Sequence, residues 1–159
     1  MEEHLKDHAT AIGHLTIAFN CLERQISHLI GTLLGDSYVG EIVTAPVPFP
    51  KKLDVLCALA RFKLAAAAFL PNLEDLAKRL APLNDQRNGI IHAEWWVDHL
   101  SLANPESVGR RRLDIRKREL RVQHDAPSPE KIMTLVAEMR AASDEVDAID
   151  ANISAALRG

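Results

Sequence analysis

Aromatic residues are scarce in this 159-residue chain: they make up 4% of it, with a single tyrosine. β-Sandwiches lean on aromatic and β-branched side chains, so this scarcity argues against one and tilts the class toward helices. Cysteine is nearly absent. Cys21 and Cys57 each sit in an apolar helical context with no second Cys or His at metal-ligand spacing, which argues against a disulfide scaffold or a zinc site and predicts two buried thiols. No apolar run is long enough to span a bilayer, and the N-terminal MEEHLKDHATAIGHL is charged and amphipathic rather than basic and then apolar. The expectation is a cytoplasmic protein that does not enter a membrane. Internal repeats and low-complexity linkers are also missing, and the length suits one domain over residues 1–159.

What is present is 47% hydrophobic and 26% charged residues, a globular composition, with a formal net charge of -3. That small number hides an uneven distribution, because Arg110, Arg111, Arg112, Arg116, Lys117, Arg118 and Arg121 crowd one segment of an otherwise acidic chain. Ile12, Leu15, Phe19, Leu22, Ile26, Leu29 and Leu33 alternate in steps of three and four, the stripe of an amphipathic helix that Gly35 stops. Asp36 to Pro50, with three prolines at its end, reads as a rigid connection. A second helix is expected from Pro50, with Leu53, Leu56, Leu59 and Ala60 on its core face and Pro71 closing it. Asn72 then offers an N-cap for a third, which Pro82 kinks or splits. Ser128 and Pro129 open a long last helix through Ile132, Val136, Met139, Val146, Ile149, Ile153 and Leu157. Between Trp95 and Gln123, short alternating runs suggest small strands around a loop. The sum is an all-α antiparallel bundle of about four long helices, with a small β excursion before the C-terminal helix.

The stretch NDQRNGIIHAEWW, residues 84–96, concentrates chemistry. In an ideal helix Asn84, Asn88 and His92 stack on one face, Arg87 stands beside Asn84, and Leu83, Ile90 and Val97 form an anchoring row. A histidine that takes or gives a proton near neutral pH, an arginine that holds phosphoryl charge in a fork and an asparagine that orients either make a set suited to phosphodiester cleavage without a metal or cofactor. Trp95 and Trp96 read as core or interface anchors. His92 and Glu94 also spell H-x-E, but no P-C-x-x-C follows, which rules out a zinc deaminase.

Arg87, Asn88 and His92, as RNGIIH, resemble the R-x(4-6)-H motif of HEPN domains, in which a polar residue directly follows the arginine. Arg118 and His124 repeat the spacing, but Glu119 follows that arginine, so the second pair fails the polar-residue condition. HEPN domains are all-α bundles, and many are metal-independent ribonucleases of toxin-antitoxin, abortive-infection and CRISPR systems. The resemblance implies catalytic Arg87 and His92, an assisting Asn88, and two protomers that bring their motifs together across a homodimer cleft. RNA would be cut by its own 2′-hydroxyl, leaving 2′,3′-cyclic phosphate ends, and an antitoxin protein would be a partner. AFNCLE, residues 18–23, is similar to a polar interruption that some of these families carry on the first helix, which makes Asn20 and Glu23, with Asn84, supporting residues. The basic segment would hold the RNA backbone. The tyrosine that often lies two residues after the histidine, where it can be modified, is here Glu94, so that regulation is not implied. A second reading stays open: a catalytically silent HEPN-like module that binds a protein, a nucleotide or a nucleic acid.

Overall fold

The computed structural model of the chain describes residues 3–65, 67–98, 107–116, 119–124 and 126–158. Its elements run α1 (Glu3–Leu34), α2 (Ser37–Thr44), α3 (Phe49–Lys63), α4 (Leu70–Ile91), β1 (Glu94–Asp98), β2 (Ser107–Arg116), β3 (Glu119–His124) and α5 (Pro129–Ala156). This is the expected helical bundle of four long helices, with a short α2 added and the β excursion where the sequence placed it.

Helix α1 is the hub, packed against each of the other four helices. The stripe expected from its sequence faces inward: Leu15, Phe19, Leu22, Ile26, Leu29 and Leu33 are all buried. They meet Leu56 of α3, Leu73, Leu76 and Leu80 of α4, and Ile132 and Met139 of α5 in one core. Each such side chain contributes roughly 1.5–3 kcal/mol by leaving water. Gly35 ends α1 at φ 93°, a conformation open to glycine. Ser128 caps α5 by accepting a bond from the Lys131 N–H, with Pro129 in the first turn.

The segment after Gly35 is more than a connection. Asp36 caps α2 by accepting bonds from the N–H groups of Tyr38 and Val39 at 2.9 and 3.2 Å. Helix α2 lies so close to α1 that a Cβ added to Gly40 would sit 2.2 Å from the Gly31 Cα. Pro71 opens α4 rather than closing α3, which stops at Lys63. The α4 N-cap is Phe69, without a side-chain capping bond, and Asn72 lies inside the helix. Pro82 also sits inside α4, which runs through it. Val97 belongs to β1, so it cannot extend the helical row of Leu83 and Ile90. Cys21 is exposed, against the expected buried thiol, and Cys57 is partly buried, where burial pushes its thiol up.

The three strands form one antiparallel sheet in the order β1-β2-β3. Its register sets Trp95 opposite Arg110 and Glu94 opposite Arg111. Among the described residues, no helix is long and apolar enough to cross a membrane.

The α1–α2 crossing supplies a test. Gly40→Ala is expected to lower unfolding stability by roughly 1–3 kcal/mol, since the methyl group meets backbone that cannot rotate away. An unchanged urea midpoint would contradict the close crossing.

Candidate functional site

Helix α4 carries the motif and ends on it. Leu73, Leu76 and Leu80 bury its inner face and bring its last turns beside α1. His92 is the C-cap, at φ -95° and ψ 12°, and its N–H donates to the Asn88 carbonyl at 3.1 Å. The last carbonyls of a helix lack partners within it, and here the β excursion supplies them. The Trp95 Nε1–H donates to the Ile90 carbonyl at 3.0 Å, and Arg110 Nη1 donates to the Gly89 carbonyl at 3.2 Å. A cation at this end also suits the helix dipole.

The basic segment therefore has an internal role that its charge did not reveal. Arg110 is only 8% exposed, and its guanidinium lies 5.8 Å from the Trp95 ring centre. Arg111 donates to Glu94 at 3.0 Å on the outer face, and the Arg112 guanidinium lies against Gly89. Lys117, Arg118 and the side chains of Arg116 and Arg121 lie outside the described residues.

Arg87 points toward α1. Its guanidinium carbon sits 4.6 Å from the Phe19 ring centre, a cation–π contact, and Nη1 donates to Asn88 Oδ1 at 2.9 Å. Its Nε is buried with no hydrogen-bond partner. Burial pushes this guanidinium down from its ordinary value and the Glu23 carboxylate acts in the opposite sense, but an arginine stays cationic through such changes. Among the described residues no carboxylate forms an ion pair with Arg87, which leaves a half-buried cation with donors to spare.

The other expected site residues are spread around it. Asn84 is only 5% exposed, so the stripe of Asn84, Asn88 and His92 runs from the bundle interior out to solvent rather than along the surface. His92 is exposed at the helix end; five residues on an ideal helix turn roughly 140° around the axis, so regular helix geometry alone does not point it and Arg87 the same way. Asn20 is exposed on α1. The Glu23 carboxylate, one turn from Phe19, is bonded to Lys52 of α3 at 2.9 Å.

Lys52 was missed in the sequence. It is 5% exposed, and its ammonium also donates to Ser27 Oγ at 3.2 Å. The signal was present, because the inward row of α3 runs Phe49, Lys52, Leu53, Leu56 and Ala60, and a lysine at a core position needs a partner. Lys52, Glu23, Ser27, Asn20, Arg24 and Glu41 line a cleft of about 240 Å³. A larger cleft of about 650 Å³ opens between α1 and α5, but polar groups that line it are engaged within the chain: Gln25 donates to Asp147 at 2.7 Å, and Asp150 accepts from Thr32 at 3.3 Å. Among the described residues no three His, Cys, Asp or Glu gather as metal ligands would.

The two neighbouring arginines of β2 should separate in a stability assay. Arg110→Ala is expected to cost about 1–3 kcal/mol, since it strips a buried carbonyl of its donor, whereas Arg111→Ala, which breaks an exposed pair, should change stability by less than about 1 kcal/mol. Equal midpoints for both variants and the parent would contradict the internal role of Arg110. The chain matches no protein-family model, no curated protein and no solved structure.

Proposed function

We propose that the protein is a metal-independent endoribonuclease of the HEPN type, working as a homodimer in which Arg87 of one protomer and His92 of the other face one RNA phosphodiester. The observation that carries this reading is the state of Arg87: a half-buried guanidinium backed by Phe19 and Asn88, bonded to no carboxylate among the described residues, on the helix whose end exposes His92. A fork of this kind suits the non-bridging oxygens of a phosphodiester. His92 would take the proton of the ribose 2′-hydroxyl as its oxygen attacks phosphorus, and return a proton to the departing 5′-oxygen. The bond to that oxygen breaks, leaving a 2′,3′-cyclic phosphate and a 5′-hydroxyl. Asn88 orients Arg87, and Arg87 holds the negative charge that develops on the non-bridging oxygens.

The homodimer draws support from uncovered apolar surface. Tyr38 and Ile42 of α2 are 81% and 72% exposed and Ile17 of α1 is 64% exposed, surface that a second copy would cover. RNA and an antitoxin protein are the other partners of this reading, and growth arrest on expression would mark the chain as a toxin. The rival, a silent HEPN-like binding module, is favoured by one observation: Arg110 and Arg111 are used inside the chain, which weakens the basic segment as a track for the RNA backbone.

His92→Ala should lower RNA cleavage in excess chelator about 100-fold or more, and Arg87→Ala about 100- to 1,000-fold, with circular dichroism unchanged. Mixing the two variants should recover part of the activity, because one composite site becomes whole. Cleavage that survives in the double variant would leave the binding module as the better account.

A further inference from the structure

Two cations compete for Glu23. Lys52 and Arg87 are both cations with restricted access to water; Glu23 is bonded to the first, and its charge also acts on the second. The structure gives it to Lys52, with Oε1 at 2.9 Å from the ammonium, while Ser27 Oγ accepts a second bond from the same ammonium at 3.2 Å. Ser27 is itself fixed, since its hydroxyl donates to the Glu23 backbone carbonyl at 3.2 Å. Arg24, the other cation on this cleft, stands 3.7 Å from Glu41. Arg87 lies over Phe19, one helical turn from Glu23, yet makes no ion pair with it and keeps a buried Nε–H without an acceptor. A carboxylate one helical turn from the ring that backs a guanidinium with no ion pair among the described residues should turn to it unless something stronger holds it elsewhere.

We infer that Lys52 is a positioning residue: it holds the Glu23 carboxylate away from Arg87 and so leaves the guanidinium open to a phosphodiester. This rests on the reading of Arg87 as the anion-binding group. Without the Lys52 charge, Glu23 would turn to the next cation, Arg87, and the chain would occupy its own anion site.

The test compares Lys52→Met, which keeps an apolar stem of similar length and removes the charge, with Lys52→Met/Glu23→Gln, which removes the competing carboxylate as well. Two quantities are read in the full chain. One is the Arg87 Nε–Hε resonance, assigned by its loss in Arg87→Lys; the other is the affinity for a 2′-O-methyl oligoribonucleotide, which cannot be cleaved. Lys52→Met should move the Arg87 Hε downfield, as carboxylate bonding does, and weaken binding roughly tenfold, the factor that about 1.4 kcal/mol of competing ion pairing produces. The double variant should return both quantities to the parent values, a rescue that a merely structural lysine would not allow. An unmoved Arg87 signal in Lys52→Met, or a double variant as weak as the single one, overturns the proposal. If Lys52→Met does not fold, Glu23→Gln alone decides: an upfield move of the Arg87 Hε shows that Glu23 was already on Arg87 and overturns it, and an unmoved signal supports it. A parent chain that binds no oligonucleotide overturns the ribonuclease reading, while the Arg87 signal still decides the role of Lys52.

Discussion

Each of the other helices of the bundle packs on α1, and that shared dependence sets where charge can go. A helix with four neighbours has its buried stripe bordered by other helices, so a polar residue beside that stripe can fall into a seam between two partners. Glu23 is such a residue: it bonds Lys52 of α3 and lies within electrostatic reach of Arg87 on α4. Phe19, one turn away, belongs to the core and also backs the Arg87 guanidinium. The same packing that stabilises the bundle thus places a cation at a seam and limits which groups can neutralise it.

The β excursion serves the helix that carries this cation. An α-helix ending at Ile91 leaves its last carbonyls without donors, and Trp95 and Arg110 reach back from two adjacent strands to supply them. The antiparallel register puts these two residues opposite each other, so pairing the strands and capping the helix are one event. His92 then sits between a capped helix and a strand, exposed but anchored on both sides in the chain. A cluster of arginines that looks like a nucleic-acid track by composition is here, in part, what holds the end of α4 in place.

Much of the fold was legible because apolar periodicity reports burial directly. The α1 stripe from Leu15 to Leu33 and the α5 row from Ile132 to Ile153 are buried as their spacing required. The errors gathered at proline and glycine. Pro71 suits a first helical turn as well as it ends a helix, and only the stop of α3 at Lys63 decides between them. Gly31 and Gly40 gave no sign of α2, because a close helix crossing depends on two glycines meeting in space rather than on a local pattern. In the site, Arg87, Asn88 and His92 were visible as a motif, but the inward turn of Asn84 and the capping role of Arg110 depend on tertiary contacts with no local signature. Lys52 was readable only as a cation in an apolar row, and its partner lies 29 positions earlier in the sequence.

The chemistry assigned to Arg87 and His92 is most directly tested by the ends that the protein leaves on RNA. A defined oligoribonucleotide incubated with the purified chain in excess chelator, and analysed by mass spectrometry, should yield fragments with 2′,3′-cyclic phosphate and 5′-hydroxyl ends. Fragments with 3′-hydroxyl and 5′-phosphate ends, or RNA left intact, would contradict attack by the 2′-hydroxyl and with it the role given to His92.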